Sequence, residues 1–159
     1  MTYHIGIDPG AHGALALYGE REIIIEDMPI LVEKINGKNK SRIDAQRLAD
    51  LLALWTDHYR VAGATIEQVG ASSQMGVTSA FAFGEAFGMV RQAIASAQVP
   101  VQFVRPQEWK KHFKLIGQDK DVSRKRASEL LPQHAHRWAR KMDDGRAEAI
   151  LLAIYGSKV

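Results

Sequence analysis

The sequence predicts an α/β domain with a mixed sheet of five strands covered by helices. Three short extended segments, residues 3–8, 13–18 and 22–27, follow one another with only brief turns, which is typical of an antiparallel meander. Beyond residue 44, stretches with helical spacing of apolar residues alternate with two more short strands, which favours helices packed on a sheet. The 159 residues fit a single domain, 1–159, that can bury a sizeable core.

The first half of the chain supplies the meander and one helix. The first strand contains the apolar run Ile5-Gly6-Ile7 and ends on Asp8, just before a Pro-Gly turn. Residues 28–42, MPILVEKINGKNKSR, are polar, basic and glycine-containing, which predicts a mobile loop whose lysines contact phosphate or are simply solvated. A helix is predicted from the N-cap Asp44 to about residue 59.

The second half alternates strands and helices. Two strands, GATIEQVG and VPVQFV, are separated by a long helix over about 78–98. Two shorter helices are predicted over 107–113 and 122–131, the second ending before Pro132. A last helix runs from about Asp144 to the C-terminus.

Composition narrows the class of protein. Cysteine is absent, so disulfides and thiolate metal sites are excluded, which fits a reducing compartment. There is no signal-peptide pattern and no apolar run of about 18 residues, so neither export nor a membrane partner is expected.

Positive charge is concentrated in one stretch. The net charge is only +3, but residues 105–141 hold 11 Lys or Arg against 4 Asp or Glu. This asymmetry favours an anionic partner such as nucleic acid, and a solvated helical face is the alternative.

Four acids stand out because apolar residues surround or precede them. Asp8 and Glu67 each close a short apolar strand. Asp144 and Glu148 are four apart on the predicted last helix and therefore share a face, and Glu148 interrupts an apolar run. Taken singly, each acid has a plainer role as a turn residue, a strand end or a helix cap.

Taken together, the four acids indicate a metal site. Carboxylates packed together repel one another unless cations hold them. Oxygen ligands without His or Cys suit Mg²⁺ or Mn²⁺. Two such ions about 4 Å apart can activate a water and stabilise the leaving oxygen in phosphodiester cleavage.

Five motifs give the sequence a family resemblance. GIDPGAHGA, IEQV, PQEWKK, DKDVSRKRASELLP and DDGRAEAILLA occur in the order typical of the RuvC family of Holliday junction resolvases, particularly its phage-type members. The resemblance covers most of the chain. It implies a ribonuclease H-like fold with helices on both faces of a five-stranded mixed sheet. It also implies a homodimer, for which Gly84 and Gly88 permit close helix contact between subunits, unless they do so within the fold.

The implied activity is metal-dependent nicking of paired strands at a four-way DNA junction, in recombination or repair. The implied setting is the cytoplasm of a prokaryote or of a phage host. The residues that match the family's catalytic and metal-binding acids are Asp8, Glu67, Asp144 and Glu148. Lys110 or Lys111 matches a basic residue near the scissile phosphate and Lys120 matches a second, and Arg124 and Lys125 of the same basic region are predicted to bind DNA with them.

The chain departs from the family pattern at two places. The final acidic pair is spaced by four rather than three, so either Asp143 or Asp144 is the ligand. Gly70 stands where some relatives carry an aromatic residue that inserts near the junction centre. Met75, Phe81 or Phe83 could replace that aromatic, although core packing is the preferred role for all three.

Other function classes fit less well. GIDPGAHGA also resembles the first phosphate loop of actin-like and sugar-kinase-like ATPases, but those enzymes need a second nucleotide-binding half that 159 residues cannot supply. A non-catalytic DNA-binding module gains nothing from a negative pocket facing phosphate. A nuclease of the same fold that acts on flaps, forks or general branched DNA remains an open alternative.

Overall fold

The computed structural model describes residues 1–119 and 121–159. Over that part of the chain, seven strands and five helices form. The strands are β1 Tyr3–Asp8, β2 Ala14–Tyr18, β3 Ile23–Asp27, β4 Ile30–Ile35, β5 Lys38–Ile43, β6 Val61–Glu67 and β7 Val101–Val104. The helices are α1 Ala45–His58, α2 Val77–Ser96, α3 Pro106–His112, α4 Val122–Leu130 and α5 Asp144–Gly156. The five predicted helices are confirmed to within a few residues.

Five of the strands form the predicted mixed sheet, in the order β3-β2-β1-β6-β7. The meander β1-β2-β3 is antiparallel, as predicted, whereas β6 and β7 add to β1 in parallel. Because β3 runs in the same direction as β1, the carboxyl ends of β1, β3, β6 and β7 all lie at one edge of the sheet. We call this the carboxyl edge and the opposite one the amino edge.

The two faces of the sheet carry different side chains because successive residues of a strand point to opposite sides. Ile5 and Ile7 of β1 pack with residues of β2, α1 and α2 in one core cluster. Gly6, between them, faces α5 so closely that a Cβ there would overlap the backbone of Ala149 and Ala153. Small residues on this face therefore let α5 lie directly against β1. The prediction of helices on both faces is confirmed.

Residues 28–42 were expected to be a mobile loop, and that prediction is wrong. From Ile30 onward they belong to the β4–β5 hairpin, an antiparallel ribbon that ends at Ile43 and is separate from the main sheet. Its turn residues Asn36 and Gly37 have φ of 51° and 76°. An Asn-Gly pair with positive φ at both residues is the preferred two-residue hairpin turn, so the sequence carries a local signal for this ribbon.

Helix α2 carries an exposed apolar strip where it begins. Val77 is 87% exposed and Phe81 is 75% exposed, so the expected core role of Phe81 is wrong. A Cβ on Gly84 or Gly88 would meet no described atom of a neighbouring element within 4 Å. These glycines therefore mediate no close helix contact within the described chain.

The connection between α4 and α5 is more ordered than the sequence predicts. Pro132 ends α4 as expected, but it also begins a 3-10 segment, Pro132–Trp138. That segment buries Trp138, whose indole N–H donates to the hydroxyl of Ser128 at 2.9 Å. Among the described helices, none combines the length and the apolar character needed to cross a membrane.

Candidate functional site

Two of the predicted acids are brought together by the register of β1 and β6. Gly6 pairs with Thr65, and Ile7 pairs with Ile66, in the parallel ladder. Asp8 and Glu67 are the next residues on each strand, so they end neighbouring strands at the carboxyl edge. Strand alternation gives both side chains the same orientation as Gly6, which faces α5.

The third acid comes from α5. The close approach of this helix to Gly6 brings its first turn to the end of β1. A Cβ on Gly145 would lie 3.1 Å from Asp8 Oδ2, so the start of α5 abuts that carboxylate. Glu148 follows on the next turn, half-buried within an otherwise buried apolar run.

Asp8, Glu67 and Glu148 offer carboxylate oxygens that all lie within 4.8 Å of one another. Burial raises the pKa of Asp8 to about 7, and the neighbouring charges of Glu148 and Glu67 add to the rise. A backbone hydrogen bond from Gly10 and the charge of Lys110 oppose it only in part. Such a group of oxygens fits a hard divalent cation.

Burial also raises the pKa of Glu148. Lys110 is the largest opposing influence, because its Nζ lies 3.8 Å from Glu148 Oε1. The charges of Glu67 and Asp144 raise this pKa further, while a hydrogen bond from Ser123 lowers it. Both acids with raised pKa therefore bind protons more tightly than isolated carboxylates as long as no cation is present.

Two residues that sequence reasoning missed orient the acids. The indole N–H of the fully buried Trp109 donates to Glu67 Oε1 at 2.9 Å. The hydroxyl of Ser123 donates to Glu148 Oε1 at 3.2 Å. The tryptophan among the polar residues of PQEWKK is a weak signal for a special role of Trp109. Its partner Glu67 cannot be identified from this motif, because it lies 42 positions earlier in the chain.

The neighbouring residues Asp143 and Asp144 face different partners. Asp144, at the start of α5, accepts a 2.6 Å hydrogen bond from Arg124 Nε and lies outside the close group of three acids. Asp143 is only 4% exposed and accepts hydrogen bonds from the backbone N–H and guanidinium of Arg140. Arg146 Nη1 lies 3.9 Å from Asp143 on its other side.

The basic residues predicted to bind DNA are Lys110, Lys111, Lys120, Arg124 and Lys125. Lys120 lies outside the described residues. Lys110 points at Glu148, and Arg124 points at Asp144. The side chain of Arg124 is only 19% exposed. Lys111 is exposed on α3, and Lys125 is exposed on α4, where its Nζ lies 3.1 Å from Asp121.

A cleft of about 360 Å³ opens beside Glu148, between α3 and α4. Its walls combine apolar side chains, Leu115 and Val122 among them, with Lys110 and Ser123. Glu148 is therefore reachable from solvent between the two basic helices.

Comparison with known proteins gives a match at the level of structure. Neither a protein-family model nor a curated protein sequence matches the chain. The RuvC protein of T. thermophilus in complex with a Holliday junction substrate matches with a TM-score of 0.59 at 20% identity, covering 99% of this chain and 96% of that one. A second structure of Thermus thermophilus RuvC matches with a TM-score of 0.55 at 20% identity, covering 98% and 96%. The chain has the ribonuclease H-like fold of these structures, as the resemblance implied.

Proposed function

We propose that the protein is a metal-dependent endodeoxyribonuclease that resolves four-way DNA junctions by paired nicks during recombination or repair. The observation that carries this proposal is the convergence of Asp8, Glu67 and Glu148 at the carboxyl edge. Neither strand ladders nor helix packing requires three half-buried carboxylates to face one another. They do so on the fold of a protein that has been solved with a Holliday junction substrate.

The three converging acids are the proposed ligands of Mg²⁺ or Mn²⁺, with Asp144 as a fourth and two ions per site. The ions would supply the Lewis acidity that phosphodiester hydrolysis needs. Trp109 and Ser123 hold Glu67 and Glu148 in place through their hydrogen bonds. Asp144 is favoured over Asp143 because Asp143 is enclosed by arginines, whereas Asp144 is close enough to Glu148 to raise its pKa.

The basic residues beside the acids are the proposed DNA contacts. Lys110 and Arg124 are near enough to the acids to meet a phosphate placed there. Lys111, Lys120 and Lys125 are assigned to the flanking backbone. Phosphate contacts of this kind supply affinity and orientation without sequence preference.

Paired nicks need two active sites, so the proposal includes a homodimer. It is supported by the exposed apolar strip on α2, where Val77 and Phe81 face solvent. Gly84 and Gly88 on the same helix leave room for the close approach of a second helix. The proposed setting is the cytoplasm of a prokaryotic cell, with a phage gene as one origin.

The test is a cleavage assay on four-way, three-way, flap and linear DNA with equal arm sequences. Expected are symmetric nicks in the four-way junction with Mg²⁺ or Mn²⁺, little cleavage of linear DNA, and junction binding without cleavage in EDTA. Equal cleavage of all branched substrates would replace junction resolution with a broader branched-DNA nuclease. Full cleavage in EDTA, or no cleavage of any substrate, would contradict the metal-dependent nuclease.

A further inference from the structure

The β4–β5 hairpin projects from the same edge of the sheet as the acids. Strand β3 ends at Asp27 on the carboxyl edge, and the hairpin begins three residues later at Ile30. Two backbone hydrogen bonds fix its base, from Met28 N–H to the carbonyl of Gly13 and from Asp44 N–H to that of Pro29. The ribbon therefore starts beside the β1–β2 turn, which directly follows Asp8.

The hairpin is tied down at its base. The guanidinium of Arg42 bridges Glu33 on the opposite strand and Glu85 on α2. A cleft of about 410 Å³ lies where the hairpin, the β1–β2 turn and α2 meet, and His12 and Arg42 contribute to its walls. Ile43 is buried in the core cluster that contains α1 and α2. These contacts fix the base of the hairpin to α2 and the core, while its tip extends into solvent.

The tip carries concentrated positive charge. Residues 34–40, KINGKNK, contain three lysines and no acid. Lys34, Lys38 and Lys40 are all exposed, and none of them forms an ion pair within residues 1–119 and 121–159. Arg42, the other cation of the hairpin, has its charge balanced by two glutamates. The three lysines are thus available to an external polyanion.

The hairpin and the helices α3 and α4 pack on different faces of the sheet. Met28 and Ile43, at the base of the hairpin, belong to the core cluster on the α1 and α2 face. Trp109 of α3 and Ala127 of α4 belong to the cluster on the α5 face. The converging acids lie at the carboxyl edge on the α5 face, and the base of the hairpin lies at the same edge on the opposite face. A nucleic acid that crossed this edge would have the basic helices α3 and α4 on one face and the hairpin on the other.

We propose that the β4–β5 hairpin is a second DNA-binding element, which takes hold of a duplex arm next to the cleaved phosphate through Lys34, Lys38 and Lys40. This inference rests on the proposed function, because branched DNA is the assumed substrate. A two-stranded ribbon fits the major groove of B-DNA, and six residues per strand give a reach of roughly 20 Å. Duplex DNA is favoured over a protein partner because the tip combines three unpaired cations with no acid.

The experiment compares two triple variants that remove equal charge. The hairpin variant is Lys34→Gln, Lys38→Gln, Lys40→Gln. The control variant is Arg21→Gln, Arg60→Gln, Lys158→Gln, whose residues are exposed and lie at the amino edge. Dissociation constants for a four-way junction and for a linear duplex are measured in EDTA over a series of salt concentrations, with circular dichroism melts to verify folding.

For the hairpin variant, we expect junction affinity to fall by about tenfold or more and the slope of log K against log salt to become shallower by about 3, one contact per lysine. The control variant should keep the wild-type slope. A hairpin variant with the slope of the control would overturn the inference. The inference would also be overturned if the hairpin variant bound DNA normally but had an altered oligomeric state in the absence of DNA. The ribbon would then contact a second copy of the chain.

Failure of the proposed function has a different signature. A wild-type chain that binds duplex and junction alike and cuts neither would contradict junction resolution. The salt slopes on linear duplex would still show whether the hairpin lysines contact phosphate, so the two ideas are tested separately.

Discussion

On one side of the first turn of α5, Asp143 and Asp27 are held by arginines, whereas on the other side Asp8 and Glu148 face further carboxylates. Arg146 binds Asp27 through two hydrogen bonds of 2.6 Å, and Arg140 binds Asp143. We call these four residues the arginine cluster, and Asp8, Glu67 and Glu148 the acid triad.

The two groups have opposite electrostatics. In the arginine cluster, hydrogen bonds from Arg140 and Arg146 lower the pKa of Asp143 and Asp27 respectively. In the acid triad, burial raises the pKa of Asp8 and of Glu148. Paired acids stabilise the fold in their charged form, while facing acids oppose folding in theirs. The lowered pKa values are typical of a structural ion-pair network, whereas the raised values indicate a site that can bind a cation. Four predictions test this contrast.

The largest effect is expected from neutralising the acid triad. Asp8→Asn, Glu67→Gln and Glu148→Gln should each reduce cleavage by about 10³-fold or more, because loss of a metal ligand removes several kcal/mol of transition-state stabilisation. Metal-free thermal stability should stay equal or rise, since the change relieves repulsion. Single-turnover cleavage and calorimetric melts measure the two quantities.

The same three variants should bind junction DNA in EDTA as tightly as the wild type or more tightly, because a negative charge facing phosphate is removed. If the variants instead lose stability, and their activity falls only in proportion to unfolding, the triad has a structural role like that of the acids in the arginine cluster.

Asp144 and Asp143 allow a proposed metal ligand to be compared with a structural acid at adjacent positions. Asp144→Asn should reduce cleavage by about 10²-fold or more with a stability change within about 1 kcal/mol, since its ion pair with Arg124 is partly exposed. Asp143→Asn should lose about 1–3 kcal/mol of stability and keep cleavage of the folded protein. Denaturant titration and cleavage rates under folding conditions check both. The reverse pattern would make Asp143 the ligand.

Two buried tryptophans provide a matched pair for the hydrogen bond to the triad. Trp109 and Trp138 are both buried, and each donates one 2.9 Å indole hydrogen bond, to Glu67 and to Ser128 respectively. Replacement of either by Phe should destabilise the fold by about 1–3 kcal/mol. Only Trp109→Phe should weaken Mn²⁺ binding, by about tenfold, since a residue that orients a ligand tunes the site.

Calorimetric titration of the metal-free protein with Mn²⁺ measures this affinity, and cleavage gives a second readout. Equal Mn²⁺ affinity in the two variants would mean that Trp109 is a core residue with no positioning role.

The last prediction is a pH dependence of metal-free stability that has opposite sign in the two groups. Asp8 keeps its proton up to about pH 7 in the folded chain but loses it near its ordinary 3.8 when unfolded. Its contribution to metal-free stability therefore falls as pH rises from about 4 to 7, by at most roughly 1.4 kcal/mol per pH unit. Asp27 and Asp143, with lowered pKa, contribute stability above about pH 4 that is lost as pH falls through their folded values.

Denaturant unfolding at a series of pH values, without metal, measures these slopes. Asp8→Asn should flatten the curve between pH 4 and 7, and Asp143→Asn should weaken the loss on the acid side. An unchanged curve in both variants would show that the two groups do not differ in protonation.

Sequence reasoning was strongest where the signal is local. The apolar run before the Pro9-Gly10 turn predicts β1. Asp44 is predicted as a helix N-cap, and its carboxylate accepts a hydrogen bond from the N–H of Arg47 at 3.1 Å. Acids at the ends of apolar strands were recognised for the same reason, because strand periodicity acts over a few neighbouring residues. The hairpin at 30–43 is not predicted, because its polar composition is typical of a loop. The Asn36-Gly37 pair is nevertheless a local signal for the hairpin turn.

Local sequence patterns were thus sufficient for the order of the elements apart from the β4–β5 hairpin, for the mixed sheet, and for the acids that could form a site. Which of these acids meet depends on contacts between distant parts of the chain. Asp143 and Asp144 are adjacent in sequence, yet one step along the chain turns one toward Arg140 and the other toward Arg124. Trp109 finds Glu67 from 42 residues away. Such partners depend on how α3, α4 and α5 pack on the sheet, and packing joins residues that no local pattern relates.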